Sequence, residues 1–372
     1  KNIMVSIENI TSTLLAFLTQ PDKDWSVVAY PFFAAFSIFY ILYIVLCRTR
    51  QNIVLTYIIL FGLFFAWKAN GWLMLLLPAT TIISWWGTRL MMRAKNCRGI
   101  WLAAIIIIDL IPLIYFKYTN FLISIFNGLL ERNFAPLDIL LPIGLSFYTF
   151  QAISYSVDVY KWKFTRETPL LYYSFYLTFF PLILAGPITR AEVLIPQISQ
   201  FSSMDPVLKK RNSDLAYKGL WLIIIGLIKK AIIADYIAQF NNMVFADPTA
   251  YSGFENLMAA VGFTLQIFCD FSGYSDIAIG MAALMGFDLH DNFNFPYQSL
   301  NPTEFWHRWH IALSTWFRDY VYIPMGGNRQ GLTRTCINIL LTMLAAGLWH
   351  GASWMFLLWG AIHGVALAIH KI

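Results

Sequence analysis

Residues 100–115, IWLAAIIIIDLIPLIY, decide the fold class, because Asp109 is the one charged side chain in the run. A helix needs about 20 mostly apolar residues to cross a bilayer, and runs of this kind recur along the chain. Of the 372 residues, 58% are hydrophobic and 12% are charged, whereas a soluble domain is about a quarter charged. The sequence therefore predicts an integral membrane protein that threads the bilayer as helices.

Working outward from that run, further apolar segments predict an all-α, polytopic membrane protein with about 10–11 membrane segments, including re-entrant and interfacial helices. The segments are Val27–Cys47, Ile53–Trp67, Trp72–Trp86, Ile100–Tyr115, Phe121–Leu130, Leu140–Val157, Leu171–Ile188, Leu220–Tyr236, Leu257–Phe287, Ile337–Leu348 and Trp354–Ile369.

Basic residues are concentrated in three short loops, and they set the predicted orientation. The loops hold Arg48 and Arg50, then Arg89, Arg93, Lys95 and Arg98, and then Lys161, Lys163 and Arg166. Because cytoplasmic loops carry an excess of Lys and Arg, we expect all three in the cytoplasm and the N-terminus outside.

The segment Leu171–Ile188 contains Pro181 and the pair Gly186-Pro187. If it crossed fully, the basic run Lys209-Lys210-Arg211 would lie outside. A segment broken by proline can turn back where protein covers its backbone. We therefore predict a re-entrant segment that keeps this basic run inside.

Charge and cysteine content argue against two other classes of protein. The net charge of +6 is explained by basic cytoplasmic loops, so no nucleic-acid partner is predicted. The four cysteines are scattered without a CxxC spacing, so neither a disulfide framework nor a metal site is predicted.

All six histidines follow residue 289, and ionisable groups at membrane depth are functional candidates. In NPTEFWHRWHIALSTWFRDYVY, residues 301–322, Asn301 and Glu304 form a capping-box pattern. The spacing predicts one amphipathic helix at the cytoplasmic surface, with His307, His310 and Ser314 on one face. An interfacial anchor is the alternative, and a metal-binding HxxH pair is a weaker one.

Two further strings contain polar groups within apolar sequence. In GLWHGASW, residues 347–354, glycines flank His350, which is either a general base or a core histidine. In FCDFSGYSD, residues 268–276, Gly273 and the serines predict local unwinding. Asp270 and Asp276 then serve either in ligand contact or a proton relay, or as buried carboxylates bonded to Arg or to helix N-termini.

Five strings together resemble the membrane-bound O-acyltransferases, in the branch that acetylates bacterial polysaccharides. They are LPIGLSFYTFQAISYSVDVYK, PLILAGPITRAEVLIPQ, DFSGYSDIAIGMAALMGF, FWHRWHIALSTWFRDYVYIPMGGNR and GLWHGASWMFLLWGAIHG, found in this order between Leu141 and Gly364. The resemblance implies one membrane-embedded domain, with N-terminal spans in residues 1–135 and the family core in 136–372. Since members of the family usually continue for several more helices, we expect that this chain lacks C-terminal helices.

The resemblance also implies a tunnel through the membrane and the residues that line it. His350 matches the histidine of the family's WHG string, and His310 matches a second family histidine; both are expected to be catalytic. The residues expected to bind substrate are Asp270, Ser272, Tyr274, Asp276, Trp306, Arg308, Ser314, Arg318 and Trp349.

The reaction implied is transfer of acetyl groups from cytoplasmic acetyl-CoA, across the bacterial inner membrane, to a polysaccharide such as alginate, cellulose or peptidoglycan. The implied partner is a periplasmic acetyltransferase of the serine-hydrolase type, and no cofactor is expected to stay bound. Arg308, Arg318, Arg329 and Lys209 would attract the phosphates of coenzyme A. A transporter or channel with an Asp/His relay, or a scaffold without catalysis, remains the alternative.

Overall fold

The computed structural model describes residues 17, 19–22, 25–94, 96–164, 167–184, 186–201 and 206–372. Within these ranges the regular structure is helical throughout, which confirms the predicted fold class. Lys95, Arg166 and the predicted outside location of the first sixteen residues lie outside the described residues, as does the side chain of Lys209.

The N-terminal half contains eight of the described helices. They are α1 (Tyr30–Leu46), α2 (Gln51–Asn70), α3 (Leu76–Arg93), α4 (Arg98–Leu113), α5 (Thr119–Leu130), α6 (Leu145–Tyr160), α7 (Leu170–Thr178) and α8 (Phe180–Leu184). A 3-10 turn, Gly71–Leu75, joins α2 to α3, and a π-helical turn, Ile114–Tyr118, joins α4 to α5.

The second half follows the same pattern of helices joined by short turns. Its described helices are α9 (Ala191–Gln200), α10 (Pro206–Leu227), α11 (Asp235–Ala246), α12 (Gly253–Leu284), α13 (Pro302–Arg308), α14 (Ile311–Phe317), α15 (Gly331–His350) and α16 (Trp354–Lys371). Two π-helical turns, Ile228–Ala234 and Arg318–Tyr322, follow α10 and α14. Two single 3-10 turns are Pro248–Ala250 and Pro296–Gln298.

Five helical stretches among the described residues are long and apolar enough to cross a membrane. They are Gln51–Arg93, Arg98–Leu130, Gly253–Leu284, Gly331–His350 and Trp354–Lys371. Large apolar side chains such as Ile107, Leu257 and Ile362 are exposed on their surfaces, as expected of helices that face lipid. The number of further segments that enter the bilayer stays a prediction.

The core lies where α1, α2 and α8 meet and is largely aromatic. Phe180 is fully buried there. Its ring centroid is 4.9 Å from that of Phe61 and 5.5 Å from that of Phe39, both in edge-on geometry. Aromatic pairs favour this geometry, so the core holds α8 firmly against the two long helices.

The basic loops come together on one face of the molecule. Glu167 accepts ion pairs from Arg89 at 2.6 Å and Arg93 at 3.0 Å, which joins the second loop to the third. Gln51, the first residue of α2 directly after the first loop, donates to the carbonyl of Ile198 on α9 at 2.6 Å. Lys163 of the third loop contacts Glu192 on the same helix. This basic face agrees with the predicted common side of the three loops.

An extended segment, residues 132–143, lies at the opposite end of these helices. Three asparagine side chains each accept from the backbone N–H and donate to the backbone carbonyl of one residue in this segment. The pairs are Asn127 with Phe134, Asn120 with Leu137 and Asn70 with Ile143. Each side-chain amide thus forms the two hydrogen bonds that a neighbouring strand would otherwise provide.

The segment Leu171–Ile188 is broken, as its prolines predict. α7 has nine residues, about 14 Å at 1.5 Å per residue, too short for a hydrocarbon core of about 30 Å. A Cβ on Gly62 of α2 would collide with the carbonyl of Thr178, so α2 covers the break closely. The turn back inside the bilayer stays a prediction.

The unwinding predicted at Gly273 is wrong, because α12 continues as helix from Gly253 to Leu284. A Cβ on Gly273 would lie 2.8 Å from the carbonyl oxygen of Gly226, and one on Gly280 would lie 2.6 Å from that of Gly219. Glycines in membrane helices permit such close backbone approach. They form a glycine seam between α10 and α12 (Gly219, Gly226, Gly273, Gly280).

Candidate active site

The single amphipathic helix predicted for residues 301–322 is wrong, because α13 ends at Arg308 and α14 begins at Ile311. Its start is as predicted: the Asn301 side chain accepts from the backbone N–H of Glu304 at 2.8 Å. Glu304 also pairs with Arg308 at 2.8 Å. Its carboxylate accepts from the N–H of Leu300 rather than from that of Asn301, so the reciprocal half of the capping box is wrong.

His310 occupies the break, in a left-handed conformation with φ of 43°. The backbone N–H groups of the next two residues both donate to Asn292, which lies in a preceding loop. Ile311 donates to the backbone carbonyl of Asn292 at 2.9 Å, and Ala312 donates to its side-chain oxygen at 3.1 Å. These bonds replace intrahelical ones, which explains why the helical pattern stops here.

The imidazole of His310 is buried, with 1% of the residue exposed. Nδ1 lies 3.1 Å from the side-chain oxygen of Asn292, and Nε2 has no hydrogen-bond partner among the described residues. The ring lies edge-on to Phe271, with centroids 4.6 Å apart. Burial, and then the nearby His350, lower the pKa of His310 well below its usual value, so the ring is neutral at pH 7.

A cavity of about 590 Å³ lies beside this region and runs along one face of α15. On that face, Ile339, Met343 and His350 line the cavity, about 16 Å from first to last at 1.5 Å per residue. The other lining residues are Thr303, Trp306, His307, Ile311, Leu313, Ser314, Thr315, Phe317, Arg318, Tyr322, Thr342, Ala346, Leu367 and Lys371.

The two ends of the cavity differ in charge and exposure. At the end we call the mouth, the lining includes His307, Arg318 and Lys371, and no Asp or Glu of the described residues lines it. Asp319 accepts from Nε of Arg318 at 2.8 Å and contacts Arg190 at 3.4 Å. Tyr320 donates to Asp158, the partner of Lys163. The mouth therefore opens at the basic face, with Arg318 paired to Asp319 and Lys371 as a second cation of the lining.

His350 lies at the inner end of the cavity, where α15 ends. Its ring packs against Trp349 and Trp359, with centroid distances of 5.0 and 4.9 Å. Nothing among the described residues bonds its ring nitrogens, which leaves them for a molecule in the cavity. A Cβ on Gly351 would collide with the ring of Phe356, so this glycine makes room for Phe356 rather than for a substrate chain.

Two side chains from the π-helical turn between α4 and α5 bond the backbone at the end of α15. Lys117 donates to the carbonyl of Trp349, and Tyr118 donates to that of Leu348 at 2.8 Å. The last carbonyls of a helix lack intrahelical partners, and a cation is favoured at this end of the helix dipole. The two bonds fix the backbone immediately before His350.

The predicted site residues fall into two groups. Trp306, Ser314, Arg318 and His350 line the cavity, whereas His310, which was expected to line it, does not. The ring of Trp349 packs against both histidines, with its centroid 6.2 Å from that of His310 and 5.0 Å from that of His350. Arg308 pairs with Glu304, away from the lining.

Three of the four residues predicted on α12 bond or contact side chains outside the cavity lining. Asp270 pairs with Lys230 at 2.5 Å and Asp276 pairs with Lys229 at 2.7 Å. The hydroxyl of Tyr274 lies 3.1 Å from that of Ser26, and the hydroxyl of Ser272 is buried without a partner in the described part of the chain. Both aspartates are thus paired, but with lysines rather than with Arg or a helix N-terminus, and the side chain of Asp270 is 40% exposed.

Residues 166–372 match the membrane-bound O-acyltransferase family. The chain belongs to the membrane-bound O-acyltransferase family. It is therefore a multi-pass membrane protein, in agreement with its long apolar helices. The family resemblance found in the sequence is confirmed.

Individual relatives are named as enzymes that transfer acyl groups to polymers. It is 40% identical over 317 residues to a probable alginate O-acetylase of Azotobacter vinelandii, a match covering 83% of this chain and 61% of that protein. It is 35% identical to a peptidoglycan O-acetyltransferase of Helicobacter pylori, covering 74% of this chain and 56% of that protein. A teichoic acid D-alanyltransferase of Bacillus subtilis is 28% identical, over 75% of this chain and 70% of that protein. The chain thus spans less than two thirds of the first two relatives.

Sequence reasoning missed two residues of this site. Lys117 carries a signal that could have found it, since a lysine in a membrane segment is rare and has a role to explain. Asn292 carries none, because a loop asparagine is ordinary in sequence and its partner His310 is 18 residues away.

Proposed function

We propose that this chain transfers acetyl groups from cytoplasmic acetyl-CoA, across the inner membrane, for O-acetylation of an extracytoplasmic polysaccharide. The observation that carries the proposal is the cavity, with Arg318 and Lys371 at its mouth and His350 at its inner end. The names of the relatives, which act on alginate or peptidoglycan, support the same class of acceptor.

The dimensions of α15 suit transfer from one side of the membrane to the other. The helix has 20 residues, about 30 Å at 1.5 Å per residue, the thickness of the hydrocarbon core. It begins near the basic face and ends at His350. A thioester that enters at the mouth thus meets the histidine far from the cytoplasm.

The mouth suits the donor, since the phosphates of coenzyme A are anions and Arg318, whose Nε is paired with Asp319, can bind a phosphate with its two terminal nitrogens. At the inner end, a ring nitrogen of His350 takes the proton of the acceptor hydroxyl as its oxygen attacks the thioester carbonyl. The C–S bond then breaks, and the proton passes to the departing thiolate. The acceptor is the polysaccharide itself or the serine hydroxyl of a periplasmic partner that passes the acetyl group on.

Proteoliposomes containing the purified protein test this function directly. Radiolabelled acetyl-CoA is supplied on the side of the basic face, and oligomers of alginate, cellulose or peptidoglycan on the other side, with and without a periplasmic extract. We expect release of the CoA thiol together with label in the trans-side polymer. Dissipation of a proton or cation gradient without thiol release would identify a transporter instead.

The role of the mouth is tested by Arg318→Ala, which removes a phosphate contact. Charge-assisted hydrogen bonds contribute about 1.5–3 kcal/mol, so we expect the KM for acetyl-CoA to rise by about 10-fold or more with a smaller change in kcat. Arg132→Ala, which removes an exposed arginine outside the cavity, is the matched control. Equal effects of the two changes would contradict this role.

A further inference from the structure

We propose that Asn292 is a positioning residue for the acyl transfer: it fixes His310 as the Nδ1–H tautomer and keeps the Nε2 lone pair free to accept a hydrogen bond from the acyl acceptor. This inference rests on the proposed function for its chemistry, but the tautomer itself is a property of the protein that can be measured without any reaction.

The orientation of the Asn292 amide follows from its neighbours. The backbone N–H of Ala312 lies 3.1 Å from the side-chain oxygen, and a backbone N–H can only donate. At the other end, the amide nitrogen donates to the hydroxyl of Ser275 at 3.0 Å. The Ala312 contact requires the oxygen to face His310, and the Ser275 hydroxyl, which can donate or accept, is compatible with that orientation.

The tautomer of His310 follows from that orientation. Its Nδ1 lies 3.1 Å from an oxygen that can only accept, so Nδ1 carries the proton. In a neutral imidazole the other nitrogen is then an acceptor. Nε2 therefore presents a lone pair.

That lone pair is buried and has no partner among the described residues. A buried polar atom without a hydrogen bond is costly, and such atoms call for an explanation. The cavity reaches Ile311, the residue that follows His310, and a hydroxyl that enters from there supplies the missing donor. The ring of Trp349 packs against both His310 and His350, so this position is close to His350.

The charged and titratable groups around His310 leave its neutral form favoured. His350, whose ring also packs against Trp349, disfavours a positive charge on His310. On α12, which contributes Phe271, both carboxylates are paired with lysines. On the other elements that reach His310, Asp291 is next to Asn292 in the chain, Arg308 is paired with Glu304, and Lys117 donates to the carbonyl of Trp349.

The first measurement is the tautomer, read from ¹⁵N shifts of histidine-labelled protein in detergent, with His310 assigned by the signal lost in His310→Gln. We expect a protonated Nδ1 and an unprotonated Nε2 in the unchanged protein, and a mixture of tautomers in Asn292→Ala. A protonated Nε2 in the unchanged protein would overturn the proposal whether or not the protein transfers acetyl groups.

The second measurement is the pH profile of acetyl transfer. Asn292→Ala should lower kcat about 10- to 100-fold, the range observed when a residue that orients a metal-bound histidine is lost. Asn292→Asp keeps an acceptor for Nδ1 of His310 and for the N–H of Ala312, but its negative charge favours the imidazolium, in which Nε2 is protonated and has no lone pair. Because the carboxylate raises the pKa of His310, this variant should be active at high pH and lose activity as pH falls. The acid limb of its pH profile should lie at least about one pH unit higher than that of the unchanged protein.

Asn338 provides the matched control, because it is also a fully buried asparagine but its amide donates only to backbone carbonyls, those of Gly327 and Met325. Asn338→Asp should lower the melting temperature and leave both the tautomer and the pH profile unchanged. If Asn292→Asp and Asn338→Asp have the same pH profile in protein that transfers acetyl groups, Asn292 is a structural residue only. If the unchanged protein transfers none, the proposed function fails while the tautomer measurement still decides this proposal.

Discussion

At the scale of single residues, His350 differs from the other cavity-lining histidine, His307, by its depth. It ends a membrane helix at the inner end of the cavity, and its nitrogens are unbonded among the described residues. Because general-base catalysis contributes about two to four orders of magnitude, His350→Ala should lower acetyl transfer by about 100-fold or more. His350→Gln should not restore it, since glutamine cannot take a proton. Initial rates of CoA thiol release check both variants.

His290 is the control for this change, because it is an exposed histidine that lies outside the cavity lining. His290→Ala should retain full activity, and all three variants should insert and express alike. Recovery of activity in His350→Gln would make His350 structural and move the chemistry to another residue.

At the scale of elements, the glycine seam shows how two membrane helices approach without side chains between them. A methyl group on Gly273 would lie 2.8 Å from the carbonyl oxygen of Gly226, so Gly273→Ala forces α10 and α12 apart. Overpacking of this kind costs about 1–3 kcal/mol. We expect a lower melting temperature in detergent, measured by tryptophan fluorescence.

Gly128→Ala is the control, and it is expected to change stability in the opposite direction. A Cβ at this position, in α5, meets nothing within 4 Å. Alanine is favoured over glycine in a helix by up to about 1 kcal/mol, so this variant should melt at the same temperature or higher. A Gly273→Ala protein as stable as Gly128→Ala would mean that the seam does not limit packing.

At the scale of the whole molecule, the ion pairs of Glu167 join two basic loops on one face, and the positive-inside rule assigns this face to the cytoplasm. Cys97 is an exposed native cysteine in the second of these loops. An impermeant maleimide applied to intact cells should leave it unlabelled and should label it in inverted vesicles. Asp138→Cys, in the exposed segment at the opposite end, should label from outside. The reverse pattern would invert the orientation and place the mouth of the cavity outside.

Much of the architecture could be predicted because it depends on local pattern. Apolar runs predicted helices that the structure confirms, including α16, and Asn301 was recognised as a helix cap because capping involves residues three positions apart. Prolines predicted the break after α7. Clusters of Arg and Lys predicted which loops share a face, since membrane orientation depends on charge in the chain itself.

The site depended on contacts that no sequence period reveals. His310 leaves the predicted helix because Asn292 captures the two N–H groups that follow it, and Lys117 holds the carbonyl of Trp349 from 232 residues away. Gly273 was taken as a point of unwinding, yet it is the point where α12 meets α10. In each case the deciding contact comes from a residue distant in sequence, which either bonds a backbone group or packs against a glycine. The sequence alone thus determined which residues form membrane helices, whereas tertiary packing decided where the helix of His310 breaks and which nitrogen of its ring is left free.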